Sequence, residues 1–273
     1  MTIETRLSDT LRRLRLPDGG FSTSAGGSSE LESTAVATLA LGGDEPGRRW
    51  LTRRQRPDGG FRERGRPPHG PTSAALAALA LTGAPAERAL RHAIAGRSLP
   101  LPGARDPELR GWGWTVDTRS FVEPTARVLL AARRLTPADS RVRSDATRLL
   151  EEWQCSDGGW NHGVASVLEA QLPGYAQTTA MALVALQREQ RPFVRDALRF
   201  LRRQWRREPG GLTVAQALIA FRLHGVRDEL APARAALGRL AAHPSRTERP
   251  LVVAWAVLAT GSDEVLDALR VGA

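Results

Sequence analysis

The hydrophobic residues of this chain fall into two alternating kinds of segment. One kind is charged and amphipathic, as at the N-terminus, where Leu7, Leu11 and Leu14 recur at helical spacing between arginines. The other kind is almost wholly alanine and leucine and has no charged face, as in residues 34–41 and 71–81. The first pattern predicts helices with one buried stripe, and the second predicts helices that are buried on all sides.

Glycine turns separate the two kinds of segment. An acidic residue, two glycines and an aromatic residue stand at 18–21, 58–61 and 157–160, and degenerate forms stand at 111–114 and 210–211. Each turn ends a charged helix and precedes a polar loop that leads to an apolar helix, because glycine adopts the positive φ angles that a tight reversal requires. The chain thus reads as about six helix pairs of about 45 residues each, which indicates a helical repeat architecture.

The repeat is compatible with an open solenoid or with a closed ring whose apolar helices lie inside. An open solenoid needs polar caps on its terminal repeats. The last repeat of this chain ends in the apolar run 251–258 without an obvious cap. The pattern therefore favours a closed, all-α, single-domain structure that spans residues 1–273.

Composition limits the partners of this fold. All 39 basic residues are arginine, the net charge is +10, and the arginines are scattered along the chain. A basic surface attracts anionic ligands and is compatible with peripheral contact with a membrane, but the scatter argues against a nucleic-acid site. No run reaches the roughly 18 apolar residues of a membrane helix, and the N-terminus lacks a signal peptide, so we expect a cytoplasmic protein.

The single cysteine, Cys155, excludes an internal disulfide and a cysteine-based metal cluster. We expect it to be a buried structural residue, with a reactive thiol or a lone metal ligand as the alternatives.

Two turns carry a family resemblance. Residues 55–61 and 154–160 read Gln-x-x-Asp-Gly-Gly followed by Phe or Trp. They resemble the QW repeats of squalene/hopene cyclases and related terpenoid cyclases, and the similar repeats of protein prenyltransferase β subunits. The resemblance implies an α6/α6 toroid, with about twelve helices in two concentric rings around an apolar cavity that holds isoprenoids in the family.

The catalytic motifs of these families are incomplete here. The sequence has no DxDD acid motif and no DDxxD magnesium motif, and Cys155 lacks the aspartate two residues earlier that the prenyltransferase zinc site requires. We therefore expect no metal and no cofactor. Glu32 and Glu123 stand where the resemblance places the middle aspartate of DxDD, so they are the candidate catalytic acids. The alternative is that both only stabilise helix N-termini as first-turn acids.

The loop at 161–176 is the longest connection inside a repeat, and such loops are often lids or binding loops. It contributes His162 and Tyr175, and Gln177 follows at the helix start. His162 could act as an acid or base near neutral pH, with a structural hydrogen-bonding role as the alternative. His69, in the corresponding loop of the second unit, is a further candidate for ligand contact.

Aromatic residues near the predicted mouth of the ring are candidate ligand contacts. Trp112, Trp114 and Phe121 could line the cavity, since aromatic faces stabilise cations. The aromatic residues of three other turns are expected to pack between repeats instead: Phe21, Phe61 and Trp160.

Two functions stay open. The first is a cyclase-like or prenyltransferase-like toroid that binds an isoprenoid or another apolar small molecule, with or without an anionic head group. Such a toroid is either a binding protein or a non-standard cyclase that uses Glu123 or Glu32 in place of DxDD. The second is a non-catalytic scaffold that docks a protein or peptide at the ring mouth. The sequence predicts no oligomeric state.

Overall fold

A computed structural model describes residues 2–62, 70–99, 106, 108–136, 140–163, 165–168, 170–243 and 249–272. Thirteen α-helices lie within these ranges, and they alternate along the chain between an inner and an outer set. None of the described helices is both long and apolar enough to cross a membrane.

The inner set forms a closed ring. Each inner helix packs on the next one, and the last packs on the first. Because they carry no charged face, or only a few charges among apolar residues, these helices are stable only when neighbours surround them. They are α2 (Leu31–Ala40), α4 (Pro71–Ala80), α6 (Val122–Leu135), α8 (Ala176–Ala185), α10 (Gly211–Leu223) and α12 (Pro250–Thr260). The predicted all-α toroid is confirmed.

The outer set is amphipathic and surrounds the ring. Each inner helix packs on the outer helix that follows it, and α12 packs on the first helix of the chain, so the N-terminal helix completes the outer ring. A 3-10 turn at Arg227–Glu229 precedes the last long outer helix. The outer helices are α1 (Ile3–Arg13), α3 (Glu45–Arg54), α5 (Gly83–Ala95), α7 (Ser140–Glu152), α9 (Pro192–Gln204), α11 (Leu230–Ala241) and the one-turn α13 (Asp263–Leu266).

One small element was not predicted. Within the loop before α8, strands β1 (Ser166–Val167) and β2 (Ala170–Gln171) pair antiparallel. A two-residue strand is too short to produce a recognisable alternation of polar and apolar positions.

The glycine turns attach each repeat to the next outer helix. At the second turn, the Gln55 side-chain amide donates to the carbonyl of Pro85 at 2.8 Å, at the start of α5. Asp58 Oδ1 accepts the N–H two residues later at 3.0 Å. Gly59 has a φ of +86°, and a Cβ there would lie 2.1 Å from the Arg88 carbonyl oxygen. The turn therefore requires glycine both for its backbone conformation and for the close approach of α5.

The aromatic residue after a turn fixes how the inner helix is rotated. The backbone N–H of Trp112 donates to Thr125 Oγ1 at 3.2 Å, and that of Trp160 donates to Thr179 Oγ1 at 2.9 Å. The first repeat makes the same bond with Thr34. These threonines therefore face the turns, and the residue two positions later, about 200° around the helix, faces the ring axis. The three aromatic side chains that we expected to pack between repeats are all buried: Phe21, Phe61 and Trp160.

The C-terminal segment covers one end of the ring. Beyond α13, the Leu269 carbonyl accepts from the Gln187 side-chain amide at 2.8 Å, just past α8. The carbonyl of Arg270 accepts from Arg134 on α6 at 3.0 Å. Since α6 and α8 lie across the ring from α12 and α2, the segment crosses the end formed by the helix C-termini. We call the opposite end, formed by the helix N-termini, the mouth.

Candidate functional site

All six inner helices begin at the mouth, because an outer helix returns the chain between each one and the next. The second residue of each inner helix forms a set that we call the mouth layer. Four members are half-buried, whereas two, on α4 and α6, are buried. The layer comprises Glu32, Thr72, Glu123, Gln177, Leu212 and Leu251. Solvent therefore reaches the mouth layer, where the positive ends of six helix dipoles converge.

The mouth layer contains an ion-pair cluster. Arg127 Nη2 donates to Glu32 Oε1 at 2.8 Å and to Glu123 Oε1 at 2.6 Å. The side chains are 3%, 30% and 9% exposed, respectively. In the ring, α4 lies between α2 and α6. The hydrogen bond from Arg127 on α6 to Glu32 on α2 therefore passes along the interior side of α4. The structure thus brings the two predicted acids together through an arginine that the sequence analysis missed.

Arg127 was nevertheless detectable in the sequence. In the fully buried stretch 122–132 of α6, Glu123 and Arg127 are the two charged residues, and they are four positions apart. That spacing places both on one helix face. An oppositely charged pair on an otherwise apolar, buried helix indicates a paired interior site.

The cluster carries one net negative charge when both acids are ionised. Burial acts to lower the pKa of Arg127, but the charges of Glu32 and Glu123 raise that pKa above the usual arginine value, so the guanidinium stays charged. Uptake of one proton by either carboxylate would neutralise the cluster. The surrounding helix N-termini offset part of the negative charge in the meantime.

A second set of side chains lies one turn deeper. The sixth residue of each inner helix forms what we call the inner layer, and every member is at most 3% exposed. Some buried side-chain polar atoms of the described residues lack a hydrogen-bond partner. All of these atoms except Arg110 Nε belong to the inner layer. The layer comprises Val36, Leu76, Arg127, Met181, Gln216 and Trp255.

The predicted residues of the long loop lie beside the starts of α6 and α8. His162 is exposed, and its backbone carbonyl accepts from Val122 N at 3.3 Å. Its ring centroid is 5.3 Å from that of Tyr175, which is 41% exposed. Gln177 follows in the mouth layer. The loop therefore places these three side chains at the rim, and their contact with a ligand stays a prediction.

The aromatic candidates differ in position. The Trp112 side chain is fully buried and donates its indole N–H to the Ile94 carbonyl at 3.2 Å, beside the end of α5. Trp114 is 38% exposed, and its ring centroid lies 5.5 Å from the guanidinium carbon of Arg127. Phe121 is half-buried at the N-cap of α6. Trp114 is thus the aromatic candidate in contact with the ion-pair cluster.

His69 lies outside the described residues.

The described residues also form hollows away from the mouth layer, of which two bear on the predicted site. A cavity of about 370 Å³ is bounded in part by Leu109, Arg110 and Trp153. A more open groove of about 920 Å³ is lined largely by charged side chains, including Arg133 and Glu151. Neither is lined by a residue that was predicted as catalytic or substrate-binding.

The structure also bears on metal and thiol chemistry. Across the part of the chain that the structure describes, no group of three or more His, Cys, Asp or Glu side chains is placed to hold a metal ion. Cys155 is 3% exposed, and burial raises the pKa of its thiol. This environment is that of a structural cysteine rather than of a reactive thiolate.

Comparison with known proteins identifies the fold. No protein-family model matches the sequence, and no curated protein matches it. Among solved structures, ligand-free type II terpene cyclase MstE from Scytonema superposes with a TM-score of 0.58 and 18% identity, over 90% of this chain and 81% of that one. For two variants of MstE, the superposition covers 97% of this chain and 98% of the variant's chain. The complex with the product merosterolic acid A gives a TM-score of 0.60 at 17% identity. The complex with the substrate geranylgeranyl dihydroxybenzoate gives 0.59 at 16%. The chain therefore has a terpenoid cyclase-like fold.

Proposed function

We propose that residues 1–273 form a single toroid domain that binds an isoprenoid or another apolar small molecule inside the inner ring. The ligand enters through the mouth layer, whose half-buried members include the apolar residues Leu212 and Leu251. Type II terpene cyclase MstE, which shares the fold, binds geranylgeranyl dihydroxybenzoate. With a net charge of +10, the surface also suits peripheral contact with an anionic membrane, where apolar ligands partition.

The observation that carries this proposal is the Glu32–Arg127–Glu123 cluster. A buried ion pair stabilises a fold little, because desolvation of the charges offsets their attraction. If packing of the inner ring were the only requirement, apolar residues at these three positions would be enough. Buried charge at the entrance of a ring is therefore better explained by a ligand than by stability.

The cluster also supplies the chemistry for a cyclase-type reaction. A proton held by Glu32 or Glu123 adds to a carbon–carbon double bond of the ligand, which leaves a carbocation on the neighbouring carbon and a carboxylate on the protein. Ring closure follows, and loss of a proton from carbon to the carboxylate restores the acid, so the net reaction is an isomerisation. The face of Trp114 lies beside the cluster and can stabilise the cation.

Product analysis tests the catalytic part of the proposal. The protein is incubated with C15 to C30 isoprenoid alcohols, acids, diphosphates and hydrocarbons, and products are separated by gas chromatography with mass detection. Glu32→Gln and Glu123→Gln each remove one acid, and Glu87→Gln is the matched control because its side chain is 69% exposed on α5. We expect conversion that the control retains and that at least one cluster variant loses. Conversion that both cluster variants retain would remove the acids from the mechanism.

A separate observation favours a second function. Five large apolar side chains are exposed among the described residues of the loops that precede α6 and α8: Leu99, Trp114, Val116, Leu168 and Tyr175. Exposed apolar groups that lie close together often mark a docking surface for another protein. Under this alternative the toroid is a scaffold, and Leu168→Ser, at a side chain that is 96% exposed, would abolish partner binding without changing small-molecule binding.

A further inference from the structure

The inner layer contains more hydrogen-bond donors than the protein satisfies. Arg127 uses Nη2 for both carboxylates, and its Nε and Nη1 have no partner. Both side-chain polar atoms of Gln216 lack partners, as does the indole nitrogen of Trp255. All three side chains are at least nine-tenths buried. A buried donor without an acceptor is costly, so three such side chains at one depth require an explanation.

The helix register aims these side chains at the ring axis. Arg127 follows Thr125 by two positions, and Thr125 faces the turn of its repeat. Arg127 accordingly points inward, where it reaches Glu32 on a helix that is not adjacent to its own. Gln216 and Trp255 are the sixth residues of α10 and α12, as Arg127 is of α6. Their shared position in the helices indicates that both side chains also face the interior.

Charge and donor count select the kind of ligand group. The unpartnered atoms are N–H donors, except for the single Gln216 oxygen. A ligand group here must therefore bring lone pairs. Glu32 and Glu123 already compensate the charge of Arg127, so a carboxylate or diphosphate would add an uncompensated negative charge in a dry site. A neutral oxygen supplies lone pairs without that cost.

We propose that Arg127, Gln216 and Trp255 form an internal site for a neutral oxygen, a carbonyl or a hydroxyl, at one end of an otherwise apolar ligand. This inference rests on the proposed function, because it names the chemical class of the ligand that the ring takes. The apolar remainder of the ligand then extends towards the mouth layer.

Binding of a matched ligand series tests the site. A C20 isoprenoid is titrated as its alcohol, aldehyde, carboxylate and diphosphate and as the hydrocarbon without oxygen, and tryptophan fluorescence reports binding. We expect the alcohol or the aldehyde to bind at least roughly tenfold more tightly than both the hydrocarbon and the anions, since unpaired buried donors penalise a ligand that lacks the oxygen.

A single substitution separates a ligand site from a structural role. Gln216→Leu removes the unpartnered amide, so we expect it to raise the melting temperature of the ligand-free protein and to abolish the preference for oxygen. Met181→Leu, in the same layer but apolar, is the control, and we expect it to leave the preference unchanged. Trp255→Phe removes one indole N–H and should reduce the preference partially.

Three outcomes overturn the inference. One is an oxygen preference that Gln216→Leu retains in full. Another is a Gln216→Leu variant that is less stable than wild type, which would show that bound water or the protein satisfies the amide. The third is a preference for the carboxylate or the diphosphate. If no member of the series binds, including the hydrocarbon, the proposed function fails as well, whereas equal binding of all members contradicts the inference alone.

Discussion

Replacement of Arg127 by methionine gives the most informative test of the ion-pair cluster. Methionine keeps an unbranched side chain in the ring but leaves Glu32 and Glu123 without their counter-charge. Removal of one partner from a buried ion pair costs about 3–5 kcal/mol of unfolding free energy. Because the Glu32 side chain is 30% exposed, solvent screens part of the effect. We therefore expect a loss of about 3 kcal/mol, at the lower end of that range.

Urea unfolding followed by circular dichroism measures this loss, and thermal unfolding gives a second readout. For a chain of this size the expected loss lowers the melting temperature by roughly 6–12 °C. The control is Arg12→Met on α1, where the ion pair with Asp9 has side chains that are 61% and 45% exposed. Such surface pairs contribute under about 1 kcal/mol, so the control should change little.

The pH dependence of the loss identifies its cause. As the pH falls and the carboxylates take up protons, the uncompensated charge is removed, and the cost of Arg127→Met should shrink. Adding Glu123→Gln to the variant should restore part of the stability at neutral pH for the same reason. A loss no larger than that of Arg12→Met, or one that acidification leaves unchanged, would refute the interpretation of the cluster as a buried, charge-balanced site.

Three further substitutions test the parts of the fold that hold the site. Thr179→Val leaves the buried N–H of Trp160 without its acceptor, and urea unfolding should show a loss of about 1–3 kcal/mol; no loss would mean that the bond does not fix the helix. Gly59→Ala should lower the melting temperature sharply, because its Cβ would lie 2.1 Å from a backbone oxygen; an unchanged value would contradict the close packing of the turn. Burial lowers the pKa of His224, although its bond to a backbone carbonyl acts in the opposite direction. The unfolded chain therefore binds the proton at a higher pH than the folded chain does, and the free energy of unfolding should fall as the pH drops through about 6.5. His224→Gln should flatten that dependence, and an unaltered pH profile would assign it to other groups.

The closed ring was predictable because its cause is periodic in the sequence. An apolar helix without a charged face must be surrounded, and each glycine turn shows where such a helix is about to begin. The contacts of the turn residues also show why these residues recur. Gln55 donates to the start of the next outer helix, and Gly59 allows that helix to approach. Each repeated residue thus has a contact that recurs with the repeat.

The site was less predictable because its residues do not recur. Glu32 and Glu123 were found through the resemblance at the helix starts, but Arg127 joins them from one turn deeper. Gln216 and Trp255 occupy positions where three other inner helices carry valine, leucine or methionine. Their importance depends on six helices sharing one register around an axis, and the position of that axis follows only from the folded ring.

The C-terminal cover illustrates the same limit. Residues 267–272 have no periodic pattern, and their role follows from bonds to side chains far away in the sequence, such as that between Leu269 and Gln187. A contact of this range depends on where the ring brings the two segments. The sequence therefore predicted the ring but not which of its ends is covered.

The most direct test of ligand entry through the mouth is a calorimetric titration of wild type and Leu212→Trp with a C20 isoprenoid alcohol. Leu212 is a half-buried member of the mouth layer, and an indole there would narrow the opening without adding charge. We predict saturable binding of one molecule per chain to wild type and at least roughly tenfold weaker binding to the variant. Equal affinity for both proteins, or no saturable binding to wild type, would contradict a ligand held inside the ring.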